Sequence, residues 1–155
     1  MYLDHLSLKF PIFGNILYKS IIARYSRTLS TIFSAGVPLV DALESTAYAT
    51  NHLVYEHTIL YIRDQVASGH SLQKAMQDSQ RFPTMAVQMV AIGEESGELD
   101  AMLEHIAQYY ENDVDDSVNN LTSLLEPIVM LVLAVIVGAL VIAMYFPIFK
   151  MGDVL

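Results

Sequence analysis

Six ionisable side chains fall within one short stretch: Glu94, Glu95, Glu98, Asp100, Glu104 and His105. They are the densest set here that could hold a metal ion or move a proton. If residues 94–98 are helical, Glu94 and Glu98 share a face, and two carboxylate oxygens there could hold a hard cation. The simpler reading is a solvated surface. Glu98 and Asp100 open a long helix, where the positive end of the dipole favours them, and the remainder face water. Asp113, Asp115 and Ser117 copy the first three ligand positions of a calcium loop, but Val118 stands where glycine is needed and Leu124 where the bidentate glutamate belongs. His52, His57, His70 and His105 fit no zinc spacing, and His-Glu-x-x-His is absent. Neither a Gly-x-Ser-x-Gly elbow nor a phosphate loop occurs. The expectation is therefore no catalytic, cofactor-binding or metal-ligating residue, and a protein that draws its energy from a partner. A tail-anchored metal-dependent enzyme built on Glu94, Glu98 and His105 is the remote alternative.

Charge narrows the partners. Of the 155 residues, 17 are acidic and 8 are Lys or Arg, for a net charge of −9. The imbalance is local: nine acids lie between Glu94 and Asp116 with no basic residue among them. Such a surface is repelled by nucleic-acid phosphate and by anionic headgroups, and it attracts a basic protein surface or a divalent cation. The chain has no cysteine, which excludes disulfides, thiolate zinc sites and a thiol nucleophile. The start, MYLDHLSLKFP, lacks both the basic start and the apolar run of a signal peptide.

The elements that must position these groups end in a membrane span. Residues 128–149 read IVMLVLAVIVGALVIAMYFPIF, with no charge between Glu126 and Lys150. About twenty helical residues reach roughly 30 Å, the hydrocarbon thickness of a bilayer. The run is apolar on every side, so it is no amphipathic surface helix. The other reading, a core helix of a soluble protein, rarely exceeds about 14 wholly apolar residues.

Upstream, the pattern is helical throughout, with no strand-like alternation and no internal repeat. Residues 1–19 are a lead-in, because Phe10-Pro11 and Phe13-Gly14-Asn15 carry turn residues that no long helix should cross. From near Lys19, Ile22, Tyr25, Leu29, Ile32 and Phe33 line one face, and Arg24 and Arg27 fall off it. Gly36 suits a left-handed cap and Pro38 the next first turn. Tyr55, Ile59, Ile62 and Val66 mark a third helix from about His52 to Ser68. Ser71 caps a short fourth holding Leu72, Ala75 and Met76. A fifth opens at Thr84 and runs through Met85, Met89 and Ile92. The sixth keeps its stripe from Leu99 and Leu103 onward past Pro127, which invites a kink without ending the helix. The fold class is all-α: an antiparallel bundle of about six helices over 20–125, whose last helix continues into one transmembrane helix over 126–149. A short tail, 150–155, follows.

Arg24 and Arg27 either pair with bundle carboxylates such as Asp41 or Glu44 or meet a partner protein. In the span, Ala134 and Gly138 form a small-x-x-x-small pair that lets another helix come close.

Several motifs, taken in order, carry a family resemblance. They are Ala23-Arg24-Tyr25-Ser26-Arg27-Thr28-Leu29, Ser34-Ala35-Gly36-Val37-Pro38-Leu39 with Ala42-Leu43, Phe82-Pro83 and Gln88-Met89. After these come Gly93-Glu94-Glu95-Ser96-Gly97-Glu98-Leu99, Tyr109-Tyr110-Glu111, Leu124-Leu125-Glu126-Pro127-Ile128, Gly138 and Pro147-Ile148-Phe149. The chain resembles the type II secretion system F-domain family, inner-membrane platform proteins of type IV pilus and type II secretion machines. Family members carry two copies of the helical domain and three spans, and this chain resembles the C-terminal half. Its ending, Ala143-Met144-Tyr145-Phe146-Pro147-Ile148-Phe149-Lys150, resembles the pilus branch more than the secretion branch.

The resemblance implies a non-enzymatic scaffold in the bacterial inner membrane, with the bulk of the chain in the cytoplasm. It implies a homo-oligomer that couples a cytoplasmic pilus assembly ATPase to pilin subunits, beside other inner-membrane pilus components and the lipid bilayer. Lys150, just after the span, points the other way under the positive-inside rule. Arg24, Arg27, Glu94, Glu95 and Glu98 become the candidate partner contacts. Glu126 and Pro127, with Ala134 and Gly138, become candidate membrane or oligomer contacts. Two other readings remain: the equivalent platform of a secretion system, and a membrane-tethered adaptor unrelated to pili.

Overall fold

The computed structural model describes residues 11–152, and side chains over 13–147. Among these residues there are six helices and no strand: α1 Pro11–Ser34, α2 Leu39–Ala49, α3 Leu53–Ala67, α4 Leu72–Ser79, α5 Thr84–Ser96 and α6 Leu99–Gly152. They divide into two units at Asp115/Asp116.

The first unit is the all-α bundle that the periodicity predicts. Consecutive helices from α1 to α5 pack as neighbours, as short antiparallel connections require. Ile22, Tyr25 and Leu29 of α1 are fully buried against Leu43 of α2, Ile59 and Ile62 of α3, Leu72 and Met76 of α4, Val90 of α5, and Leu103 and Ile106 of α6. Phe82, between α4 and α5, sits 4.8 Å from the Tyr25 ring and 6.2 Å edge-on from Tyr55. The Tyr55 hydroxyl donates to the Arg81 carbonyl at 3.2 Å, which fixes that connection. Beside this cluster His52 is buried, and neither ring nitrogen has a partner among the described residues.

Corners fall where the backbone chemistry puts them. Gly36 takes φ 89° and its N–H donates to the Phe33 carbonyl at 3.0 Å, while Pro38 precedes α2 and accepts from Ala42. Gly97 takes φ 77° between α5 and α6.

One expectation is corrected. No break separates a lead-in from the first helix at residues 13–15: α1 starts at Pro11 and runs through Phe13, Gly14 and Asn15. Proline at a first helical position loses no hydrogen bond, and one interior glycine costs only about 1 kcal/mol, which the buried stripe downstream exceeds. Residues 1–10 of that lead-in lie outside the described residues. On α5 the buried face is Ala86, Val87, Val90 and Gly93, whereas Met85 and Met89 are half-buried and Ile92 is 55% exposed. Small side chains let α5 sit close: a Cβ on Gly93 would lie 2.9 Å from the Leu99 Cα.

In the second unit α6 carries a stretch of mean hydropathy 3.0 with none of it buried. Among the described residues this is the one helix long and apolar enough to cross a membrane. Pro127 and Pro147 lie inside it without ending it.

Candidate functional site

The first unit's charged face joins α1 to α6, and the ties run in antiparallel order. Ser30 donates from its hydroxyl to the Asp100 carbonyl at 3.0 Å. Arg27 reaches Glu104 at 3.2 Å and Glu111 at 2.9 Å, and Lys19 meets Asp113 at 2.9 Å. Moving towards the N-terminus of α1 therefore moves towards the C-terminus of this stretch of α6. The Arg27–Glu111 contact is a fork on a fork: Nε donates to Oε1 and Nη2 to Oε2, both at 2.9 Å. That geometry is the strongest an exposed ion pair offers. Hydrogen bonds from Arg27 hold the Glu111 carboxyl below the usual range, and the Glu111 carboxylate holds the guanidinium above its own. Underneath, burial first and then the neighbouring Tyr18 push the Tyr110 phenol up to about 12.

Arg27 therefore has in-bundle partners, but neither is Asp41 or Glu44, the carboxylates expected from sequence. Glu44 pairs instead with Arg63 at 3.2 Å. Arg24 is exposed and makes no ion pair or hydrogen bond among the described residues.

Glu94 has a role that no spacing rule suggested. Its Oε1 accepts from the Leu72 N–H at 2.6 Å and its Oε2 from the Gln73 N–H at 3.0 Å. The next donor, Lys74 N–H, bonds the Ser71 hydroxyl, and Ala75 N–H bonds the Ser71 carbonyl. All four N-terminal donors of α4 are thus satisfied, two of them by a carboxylate 21 and 22 residues away. Burial and then the Glu94 charge raise the Tyr25 phenol well above its ordinary value. Because α5 ends at Ser96 and Gly97 turns left-handed, Glu94 and Glu98 do not share a helical face. Glu95 and Glu98 are exposed at the corner, where the Glu98 carbonyl accepts from the Met102 N–H and the Glu98 N–H donates to the Ser96 hydroxyl. Among the described residues no three His, Asp or Glu side chains gather in a way that could hold a metal ion.

In the second unit Glu126 is exposed beside Pro127, and no atom lies within 4 Å of a Cβ built on Gly138. The Thr122 and Ser123 hydroxyls donate back to the Val118 and Asn119 carbonyls of their own helix.

Among the described residues this arrangement braces α1 against α6. Sequence reasoning missed Lys19–Asp113 and Arg27–Glu111 because they join helices far apart in the chain. The signal was present in the spacing of Glu104 and Glu111, seven apart and so on one face of α6.

Residues 25–147 match the family described as type II secretion system (T2SS), protein F. Among curated proteins, the chain is 55% identical over 152 residues to "Type IV pilus assembly protein PilC" of Pseudomonas aeruginosa, covering 98% of this chain and 41% of that one. It is 53% identical over 150 residues to "Type IV pilus assembly protein TapC" of Aeromonas hydrophila, covering 97% and 36%. It is 31% identical over 146 residues to "Type II secretion system protein F" of Pseudomonas aeruginosa, covering 94% and 36%. The chain spans about two fifths of the length of these relatives.

Proposed function

Because this chain belongs to the type II secretion system protein F family, we propose that it forms part of an inner-membrane platform for type IV pilus assembly. In that role it couples a cytoplasmic assembly ATPase to pilin subunits in the bilayer. The observation that carries the reading is α6 itself. One helix, Leu99–Gly152, supplies the buried Leu103 and Ile106 to the bundle and also contains the apolar stretch. A protein so built holds a helical bundle to a membrane and contributes no chemistry of its own. The exposed Glu95 and Glu98, with Arg24, are the surface offered to the motor, and Glu126 with the Ala134–Gly138 face is offered to helices in lipid.

Supporting the pilus branch, identity is 55% and 53% to two pilus assembly proteins against 31% to the secretion protein. The secretion platform is the second reading, favoured by the family's own description. The test is co-purification from detergent-solubilised membranes of the full protein that carries this chain. Recovery of the assembly ATPase and pilin supports the proposal, and recovery of secretion components instead supports the second reading. Reversing Glu95 and Glu98 to lysine should lower ATPase recovery, and unchanged recovery removes that corner from the contact surface.

A further inference from the structure

In the second unit a groove of about 550 Å3 lies along one face of α6, lined by Asn119, Thr122, Ser123, Glu126, Val129 and Met130. Its character changes along the helix, polar first and then apolar where Val129 and Met130 enter the exposed apolar stretch. Glu126 is the one charge among these residues, exposed and without an ion pair or hydrogen bond among the described residues. The Thr122 and Ser123 hydroxyls spend their hydrogens on the Val118 and Asn119 carbonyls, so towards the groove their oxygens only accept. Pro127 has no N–H to give the Ser123 carbonyl one turn back. No Lys or Arg lies between Arg81 and Lys150 in the sequence to neutralise Glu126. Apart from the Asn119 amide, the polar part of the groove therefore offers acceptors and a negative charge. Its complement is a cation with several N–H donors, a primary ammonium.

We propose that the groove holds one phospholipid whose headgroup carries a primary ammonium. The ammonium sits on Glu126 and the two hydroxyl oxygens, and the acyl chains run along Val129 and Met130. Glu126 stands two residues before Ile128, where headgroups lie if the apolar run fills the hydrocarbon layer. An anionic headgroup is repelled by Glu126, whereas a lipid of no net charge escapes that repulsion. A quaternary ammonium has the charge but no N–H for the acceptors. A lysine on a neighbouring helix carries the same ammonium and is the competing occupant. The lipid is favoured because the groove continues into an apolar face of which nothing is buried, and covering such a face with a helix gains no hydrophobic energy inside a bilayer. The inference rests on reading α6 as a membrane span, and it does not depend on the platform's motor or cargo.

Native mass spectrometry of the full protein that carries this chain is the test. The protein is purified in detergent and titrated with phosphatidylethanolamine, phosphatidylcholine or phosphatidylglycerol of identical acyl chains. Phosphatidylethanolamine should be retained at roughly five- to tenfold lower concentration than the other two. E126Q should remove that preference. E126D, which keeps the charge, should keep most of it, so loss in E126Q alone is not misfolding. Equal retention of all three lipids, phosphatidylcholine held as well as phosphatidylethanolamine, or a preference that survives E126Q overturns the proposal. So does a protein without lipid preference from which E126Q releases a neighbouring protein, the result a lysine-bearing helix would give. A purified protein that stays dispersed in water without detergent would overturn the membrane span itself, before any lipid is added. Lipid retention is read on purified protein and pilus display in cells, so either result stands if the other fails.

Discussion

The Arg27 guanidinium and the Glu111 carboxylate, 84 residues apart in sequence, meet through two parallel hydrogen bonds of 2.9 Å that hold α1 against α6. The side chains are 37% and 43% exposed, so water screens the pair and its worth is about 0.5–1 kcal/mol. Its pH dependence follows from the direction of the Glu111 shift. A carboxyl held below its unfolded value stabilises the fold above that value, about 4.3, and loses the contribution as pH falls through the folded one. Thermal unfolding followed by circular dichroism should show E111Q less stable than wild type at pH 7, with the gap closing below about pH 4. A gap of equal size at both pH values contradicts the assignment.

Removing the Glu94 carboxylate leaves the Leu72 and Gln73 N–H groups without their acceptor. E94A should cost about 1–2 kcal/mol. Hydrogen exchange should quicken at the α4 amides first, with the α2–α3 hairpin still protected. Uniform quickening across the bundle, or none, would show that Glu94 is not the cap of α4.

Two glycines should respond oppositely to the same change. At Gly93 a Cβ would lie 2.9 Å from the Leu99 Cα and 3.0 Å from the Met102 Cγ, and the backbone atom cannot swing aside. G93A should cost about 1–3 kcal/mol by forcing the α5–α6 corner apart. At Gly138 nothing lies within 4 Å, so G138A should leave the melting of the bundle unchanged. Equal effects on melting would contradict both placements.

These contrasts show what one sequence makes legible. Helix identity and order were readable from Ile22-Tyr25-Leu29, from Tyr55-Ile59-Ile62 and from the Ser71 cap, because periodicity and capping are local. The corner at Gly36 was readable for the same reason. The α1 start was not, because Phe13-Gly14-Asn15 looks like a turn until the burial of the rest of that helix is counted. Which face of α5 is buried was not legible, because that helix packs by its small residues, Ala86 and Gly93, and an apolar side chain gives no hint that its neighbours are closer. Glu94 read as surface, and Arg27 was given Asp41 or Glu44 rather than Glu104 and Glu111, because their partners lie on helices whose adjacency no local rule supplies.

Pilus assembly in intact cells tests the platform role most directly. Cells lacking the full protein that carries this chain should display no surface pili, while pilin abundance and the assembly ATPase's hydrolysis rate stay at wild-type levels, and restoring the protein should restore the pili. Surface pili that persist in its absence, or loss of protein secretion with pili intact, would contradict a coupling role in pilus assembly.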